Sequence, residues 1–225
     1  YAYVPLIGIF IIIAWGLPVL LQNYSFRKKL LSVLSVIFFS VLITLASVQL
    51  QYWENSVKLF EHAIEVTDKK YPSFVGIYSN LGVVLNQKMK FEEAMVHLKN
   101  AVKLQPAYPE AHNNLGNALS GLNRFQEANI SYKEAIRLKP DYPEAHNNLA
   151  NSLSKKREDL EGAIFHYKKA IQLKPEFYEA HFNLGVTLKK WNDSDQAIGH
   201  LQEAIRLEPN LPESHLALGN ILSQK

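Results

Sequence analysis

Asparagines form the most regular set of polar residues in this chain. Four of them each stand directly before a leucine and a small residue, at intervals of 34 or 35 residues: Asn80, Asn114, Asn148 and Asn183. Four more widen the row in the middle of the chain: Asn113, Asn117, Asn147 and Asn151. An amide can donate to a backbone carbonyl and accept from a backbone N–H, so a row of amides can hold an extended peptide whatever its side chains are. We therefore predict that these residues bind a peptide; the alternative is that asparagine is a common solvated residue at these places.

Histidines form a second regular column, three residues before successive leucines: His112, His146, His181 and His215. A metal site would need several nitrogens at about 2.0–2.1 Å from one ion. Neighbouring helices pack about 8–10 Å apart, so equivalent histidines of successive repeats cannot converge on one ion. We predict that they serve packing or lie at the rim of a groove, and we predict no metal site.

The sequence contains none of the common catalytic motifs. It has no Gly-rich phosphate loop, no G-x-S-x-G, no H-E-x-x-H and, with no cysteine at all, no C-x-x-C or thiolate metal site. The formal charge is +3, from 24 basic and 21 acidic residues, and Arg27, Lys28 and Lys29 alone account for the excess. The remainder is neutral overall, which gives no support for nucleic-acid binding. We predict no catalytic residue, no cofactor and no nucleic-acid partner in this chain.

The asparagines and histidines belong to an internal repeat. Prolines that close its copies, Pro106, Pro140, Pro175 and Pro209, are separated by 34, 35 and 34 residues. Each copy also carries two alanines seven residues apart with a leucine or tyrosine between them, which lets two helices approach closely. This pattern resembles the tetratricopeptide repeat (TPR), a helix-turn-helix unit of 34 residues. The resemblance implies a right-handed superhelix whose first helices line a concave groove, with the asparagines facing it, as in the similar asparagine ladder of O-GlcNAc transferase.

Repeat boundaries follow from this register. We predict a TPR array over residues 71–225, with full repeats at 75–106, 109–140, 143–175 and 178–209 and a partial repeat at 212–225. The amphipathic stretch 52–70 is interpreted as a degenerate half-repeat that caps the array. The third repeat has one extra residue, which we place in its inter-helix turn because surface turns absorb insertions at little cost.

Two long apolar runs precede the repeats, at about residues 4–21 and 30–48, with the basic loop 22–29 between them. Each is long enough as a helix to cross a hydrocarbon core of roughly 30 Å. We therefore predict a membrane hairpin over residues 1–51, with the lipid bilayer as a partner, the loop cytoplasmic and the repeats extracytoplasmic. A secretory signal is excluded because no basic region precedes the first run, no small-residue cleavage site follows it, and a second apolar run comes next. A pair of buried soluble helices is the alternative.

The opening Tyr1-Ala2-Tyr3-Val4-Pro5, the second run and Trp53 at the start of an amphipathic helix suggest a more particular relationship. This arrangement is similar to the membrane-to-repeat junction of TPR-containing O-mannosyltransferases of the GT-C type and their bacterial relatives. The resemblance implies that the chain is the carboxyl-terminal part of a longer protein that uses a lipid-linked sugar through an upstream domain, whose catalytic loop is not in this sequence. Our overall expectation is an all-α, membrane-anchored TPR solenoid that binds a peptide or partner protein. The alternatives are a non-catalytic part of a glycosyltransferase and a pure assembly scaffold.

Overall fold

The computed structural model describes residues 33, 36, 37, 39–41, 44, 56–66, 74–156 and 159–223. Its contacts divide the chain into two units, Tyr1–Asn55 and Ser56–Lys225. The seven described positions of the first unit are helical and exposed. There the hydroxyl groups of Ser40 and Thr44 donate to the carbonyls four residues earlier, at 2.8 and 2.9 Å, as serine and threonine do within helices.

The predicted pair of transmembrane helices, and with it the prediction of an integral membrane protein, is wrong. No helix in the described part of the chain is long and apolar enough to cross a membrane. Residues 4–21 and 22–29 lie outside the described residues, and so does most of 30–48. An apolar run is necessary for a span, but about 20 consecutive apolar residues must also form one helix. The lipid bilayer is therefore withdrawn as a partner.

Every regular element that the structure describes in the second unit is helical, so the predicted all-α solenoid is confirmed. The bounds are α1 Ser56–Val66, α2 Phe74–Gln87, α3 Phe91–Leu104, α4 Pro109–Gly121, α5 Phe125–Leu138, α6 Pro143–Leu153, α7 Leu160–Leu173, α8 Tyr178–Lys190, α9 Ser194–Leu207 and α10 Pro212–Leu222. The most extensive contacts lie within the pairs α2/α3, α4/α5, α6/α7 and α8/α9, and each pair also packs on the next. Each helix pair thus buries its apolar faces against both its own partner and its neighbours.

Prolines mark where several first helices begin. Pro109, Pro143 and Pro212 occupy the first turn of α4, α6 and α10, where the missing N–H has no partner to lose. A glutamate follows directly in each case and lies at the positive end of the helix dipole: Glu110, Glu144 and Glu213. These local signals place the helix starts independently of the rest of the fold.

The core lies between the paired helices. The alanines that repeat seven residues apart in each second helix are fully buried: Ala94, Ala101, Ala128, Ala135, Ala163, Ala170, Ala197 and Ala204. The large residue between each pair is buried as well: Leu98, Tyr132, Tyr167 and Leu201. In the second repeat this large residue fills the space above Gly116, where a Cβ atom would lie 2.4 Å from the Tyr132 ring. The small residues therefore set how closely the two helices approach.

Three of the turns between paired helices, α2/α3, α4/α5 and α8/α9, contain a residue in the left-handed conformation: Met89 (φ 59°), Asn123 (φ 58°) and Asn192 (φ 64°). This conformation costs most L-residues about 1–2 kcal/mol, whereas glycine adopts it freely and asparagine tolerates it. The Met89 side chain is 75 % exposed, so its removal should sacrifice little packing.

We therefore expect Met89→Gly to raise the free energy of unfolding by about 1 kcal/mol, measured by urea denaturation. The matched control is Asn123→Gly, which should change the free energy of unfolding by only a few tenths of a kcal/mol. Equal effects of the two substitutions would contradict a conformational origin.

Candidate peptide-binding site

The first helices of the repeats, α2, α4, α6, α8 and α10, carry the predicted site residues. Contacts join several of these first helices directly, at α2/α4, α4/α6 and α8/α10. Among the described elements, no two second helices of successive repeats contact each other to this extent. The first helices are therefore the more closely spaced layer, which places them on the inner side of a curved array.

Asparagine side chains link successive first helices. The Nδ2 group of Asn148 on α6 donates to the Oδ1 atoms of Asn113 and Asn117 on α4, at 3.1 Å each. The Nδ2 group of Asn183 on α8 donates to Oδ1 of Asn147 at 3.4 Å. Part of the asparagine row is therefore engaged in holding neighbouring repeats together.

Asn117 and Asn151 also satisfy buried tyrosines. The hydroxyl groups of Tyr132 and Tyr167 donate to the Oδ1 atoms of Asn117 and Asn151, at 2.9 and 2.6 Å. Burial raises the pKa of Tyr167 to about 12, which keeps this donor protonated. A buried hydroxyl without a partner would cost about 1–3 kcal/mol, so these two asparagines have a structural role.

A signal for this pairing is present in the sequence. In the first and fourth repeats the tyrosine is replaced by Leu98 or Leu201, and the asparagine is replaced by Val83 or Val186. The tyrosine–asparagine and leucine–valine pairs therefore occur together. Comparison of positions within each repeat, rather than along one column, would have found the contact.

Asn113 and Asn147 lie inside the fold. They are 4 % and 6 % exposed, and each accepts a hydrogen bond from an asparagine of the next repeat. Burial, with the nearby carboxylates of Glu110 and Glu144, raises the pKa of the neighbouring Tyr142 to about 12. These two asparagines present little surface to a ligand.

Asn80 and Asn114 are the members of the row whose side chains are least engaged. Asn80 is exposed and Asn114 is half-buried. Neither side chain hydrogen-bonds to another described residue, although the backbone carbonyl of Asn114 accepts from Nδ2 of Asn86 at 3.0 Å. Their amide groups retain both their donors and their acceptors for a ligand.

The histidine column has a shared structural contact. The Nε2 atoms of His112, His146, His181 and His215 lie 2.9, 3.2, 3.1 and 2.9 Å from the carbonyl oxygen of the proline six residues earlier. A carbonyl only accepts, so Nε2 carries the hydrogen. This contact ties the end of each second helix to the next first helix.

Two of these histidines meet a second histidine on the following helix of the same repeat. The Nδ1 atoms of His146 and His166 lie 3.0 Å apart, and those of His181 and His200 lie 3.2 Å apart. Because Nε2 of His146 donates to a carbonyl, its Nδ1 accepts, and His166 must donate from its own Nδ1. Comparing histidines only between repeats could not reveal these pairs.

Within the described residues, no group of three or more metal-ligating side chains is arranged to hold a metal ion.

Sequence models of one repeat family match this part of the chain. A model described as a TPR repeat matches residues 84–123, 121–156 and 155–191, and a model described as a tetratricopeptide repeat matches residues 178–211. Together they cover more than half of the chain. The chain belongs to the tetratricopeptide-repeat family. As a TPR protein it is a protein-interaction module.

Solved TPR structures share the fold. A MamA fragment from Desulfovibrio magneticus RS-1 matches with a TM-score of 0.60 and 22 % identity, over 67 % of this chain and 85 % of its own. PilF of Pseudomonas aeruginosa matches with a TM-score of 0.63 and 24 % identity, over 68 % of this chain and 69 % of its own. A thermophilic TPR protein of Thermus thermophilus matches with a TM-score of 0.59 and 25 % identity, over 67 % of this chain and 82 % of its own.

No curated protein sequence matches this TPR chain. The matching family models and structures give no support to the predicted resemblance to O-mannosyltransferases. The lipid-linked sugar, predicted only through that resemblance, has no support either.

Proposed function

We propose that this TPR chain binds an extended segment of a partner protein along the inner side of its first helices. The groups that grip the segment are the amides of Asn80 and Asn114, together with the side-chain carbonyl oxygens of Asn148 and Asn183. Asn113 and Asn117 hold the side chain of Asn148, and Asn147 holds that of Asn183. Asn151 instead accepts from Tyr167 within its own repeat.

The observation that carries the proposal is the hydrogen-bonded continuity of the row. The Nδ2 group of Asn148 donates to Asn113 and Asn117, which leaves the Oδ1 atom of Asn148 free to accept a hydrogen bond from a ligand. Asn114 lies one repeat earlier, with an amide that no described residue occupies. Fixed acceptors beside unoccupied amides match the alternating N–H and C=O groups of an extended main chain.

Such a site recognises main chain rather than side chains, so a ligand for it can be selected from random peptides. A library of random 12-residue peptides displayed on phage would be selected on the protein, and the best peptide titrated calorimetrically. We expect Asn80→Ala with Asn114→Ala to weaken its binding by roughly 1–3 kcal/mol while the helical circular dichroism stays unchanged. Methylation of central peptide nitrogens should also abolish binding, whereas alanine replacement of single peptide side chains should have smaller effects.

The matched control is Asn100→Ala, which removes a half-buried amide from the second helix α3. It should leave peptide binding unchanged. If the Asn80/Asn114 double variant binds the selected peptide as tightly as the parent protein does, the proposed role of the asparagine row is wrong.

A further inference from the structure

Three lysines from two consecutive repeats surround one open depression where α6 and α8 end. The depression has a volume of about 410 Å³, and the residues that line it are Ser154, Lys155, Leu160, Lys189, Lys190 and Asn192. Lys189 and Lys190 form the last turn of α8, and Lys155 follows the end of α6. Only one of the six lining side chains is apolar, so the depression is a polar and strongly cationic feature.

The positive charge in this depression is not balanced in the way that it is elsewhere. Six other basic residues form salt bridges with glutamates: Lys90, Arg124, Arg137, Lys139, Lys174 and Arg206. Among the described residues, no salt bridge involves Lys155, Lys189 or Lys190. Like charges around one space repel each other, and an anion between them turns that repulsion into attraction.

Stabilisation of helix ends is the simpler explanation for such lysines. A cation near a helix C-terminus offsets a partial charge of about half an electron, so one lysine per helix would suffice. Two aspartates begin the following helices, Asp159 before α7 and Asp193 before α9. Asp193 accepts from the backbone N–H of Gln196 at 3.1 Å, which commits its carboxylate to capping α9. Among the described residues neither aspartate forms a salt bridge with Lys155, Lys189 or Lys190, so the three ammonium groups have no carboxylate paired with them.

We propose that this depression binds an anionic oxygen group, a carboxylate or a phosphate. Lysine ammonium groups are compact donors that bind such oxygens as point charges. The amide of Asn192, held at the turn before α9, adds a neutral donor at the rim. Because the lysines come from two repeats, the site exists only when these repeats are stacked.

The position of the site connects it to the proposed peptide groove. Lys155 lies seven residues after Asn148, and Lys190 lies seven residues after Asn183. Seven residues are almost two helical turns, so Lys190, the last residue of α8, continues the face of Asn183 about 10.5 Å further along. Lys155 lies in the turn just past the end of α6. The anionic group would then be an acidic or phosphorylated residue of the bound segment. This connection rests on the proposed function, whereas the anion site itself does not.

Trp191 stands between two lining residues and can report on the site. In the full chain with Trp15→Phe and Trp53→Phe, Trp191 is the remaining tryptophan. Its fluorescence would be followed during titration with sodium phosphate at pH 7.5, with sodium chloride keeping the ionic strength constant. We expect a saturable change that needs at least ten-fold more phosphate after Lys155→Gln with Lys190→Gln. The control, Lys88→Gln with Lys103→Gln, removes the same charge elsewhere and should leave the midpoint unchanged.

A fluorescence change that never saturates, or an equal shift of the midpoint in the control variant, would overturn the proposal. A parallel titration with sodium acetate separates the two chemistries: a midpoint near that of phosphate indicates a carboxylate site, and a much higher one indicates a phosphate site. Asn80→Ala with Asn114→Ala should leave phosphate binding intact. If this double variant binds the selected peptide as tightly as the parent protein does and still binds phosphate, the peptide groove is rejected and the anion site is retained.

Discussion

Acidification from pH 7.5 to pH 5 should lower the free energy of unfolding of this protein by about 1 kcal/mol through His166, because the ring is partly exposed and solvent screens part of the effect. Burial is the main cause that lowers the pKa of His166 from 6.5 to about 4, and the charges of His146 and Lys133 act in the same direction. The unfolded chain therefore binds the proton more readily than the folded chain does. The stabilisation is complete above pH 6.5 and is lost as the pH falls from 6.5 towards 4.

The geometry of the histidine pair also predicts that acidification destabilises the folded protein. His146 donates from Nε2 to the carbonyl of Pro140, and the Nδ1 atoms of His146 and His166 lie 3.0 Å apart. Only one proton fits between these two atoms, so charging both rings would set two N–H groups against each other. Of the charges around His146, Asp141 favours its charged form and Lys169 opposes it, and burial outweighs both in lowering its pKa.

The second histidine pair should add to the effect. The pKa of His200 is lowered first by burial and then by His181 and Lys168, against an opposing contribution from Glu203. Hydrogen bonds from arginines are the main cause that lowers the pKa of three carboxylates: Glu127, Glu134 and Glu203. The stabilisation that these carboxylates add is lost only when the pH falls below their ordinary pKa of 4.5. A lower limit of pH 5 therefore separates the histidines from these carboxylates.

Urea denaturation followed by circular dichroism at several pH values between 7.5 and 5 would measure this loss. His166→Gln keeps a donor for His146 but does not titrate, so it should remove a large part of the pH dependence. The matched control His112→Gln changes a histidine that has the same proline contact, in a repeat where Ser131 stands at the place of His166. A pH dependence in His166→Gln as steep as in the unmodified protein would exclude this account.

Replacement of Gly116 by alanine should destabilise the protein by about 2 kcal/mol. A Cβ atom there would lie 2.4, 2.6 and 2.8 Å from three atoms of the Tyr132 ring. That ring is 2 % exposed, and its hydroxyl group is fixed by Asn117 at 2.9 Å, so it cannot move aside without losing its hydrogen bond. The third repeat has Ala150 at this place, which indicates that a helix pair can be built around a methyl group and that the variant should still fold.

The control for this substitution is Gly199→Ala in α9, where a Cβ atom would have no neighbour within 4 Å. Alanine is a better helix former than glycine, so this variant should gain about 0.5–1 kcal/mol. Both values would be measured by urea denaturation under the same conditions. If Gly116→Ala were neutral or stabilising, the close approach of α4 and α5 would not depend on this glycine.

The apolar run at 30–48 and the repeats illustrate two different limits of inference from sequence. The repeats could be predicted because each copy restates the same small and large positions, and several concurring signals leave few alternative folds. The apolar runs offered one signal only, their length and hydrophobicity, and no membrane-spanning helix occurs in the described part of the chain. Length and composition allow a span without requiring one.

By itself, the sequence determined the helical repeat, its 34-residue period and the starts of helices at Pro109, Pro143 and Pro212, because these depend on local geometry and on contacts that recur at fixed intervals. Only the tertiary structure shows which asparagine side chains already form hydrogen bonds within the protein. The bonds of Asn148 to Asn113 and Asn117 span 35 and 31 residues, and their existence depends on how closely successive first helices stack. The same holds for the histidine pairs and for the three lysines, since side chains far apart in sequence meet only when the repeats are packed.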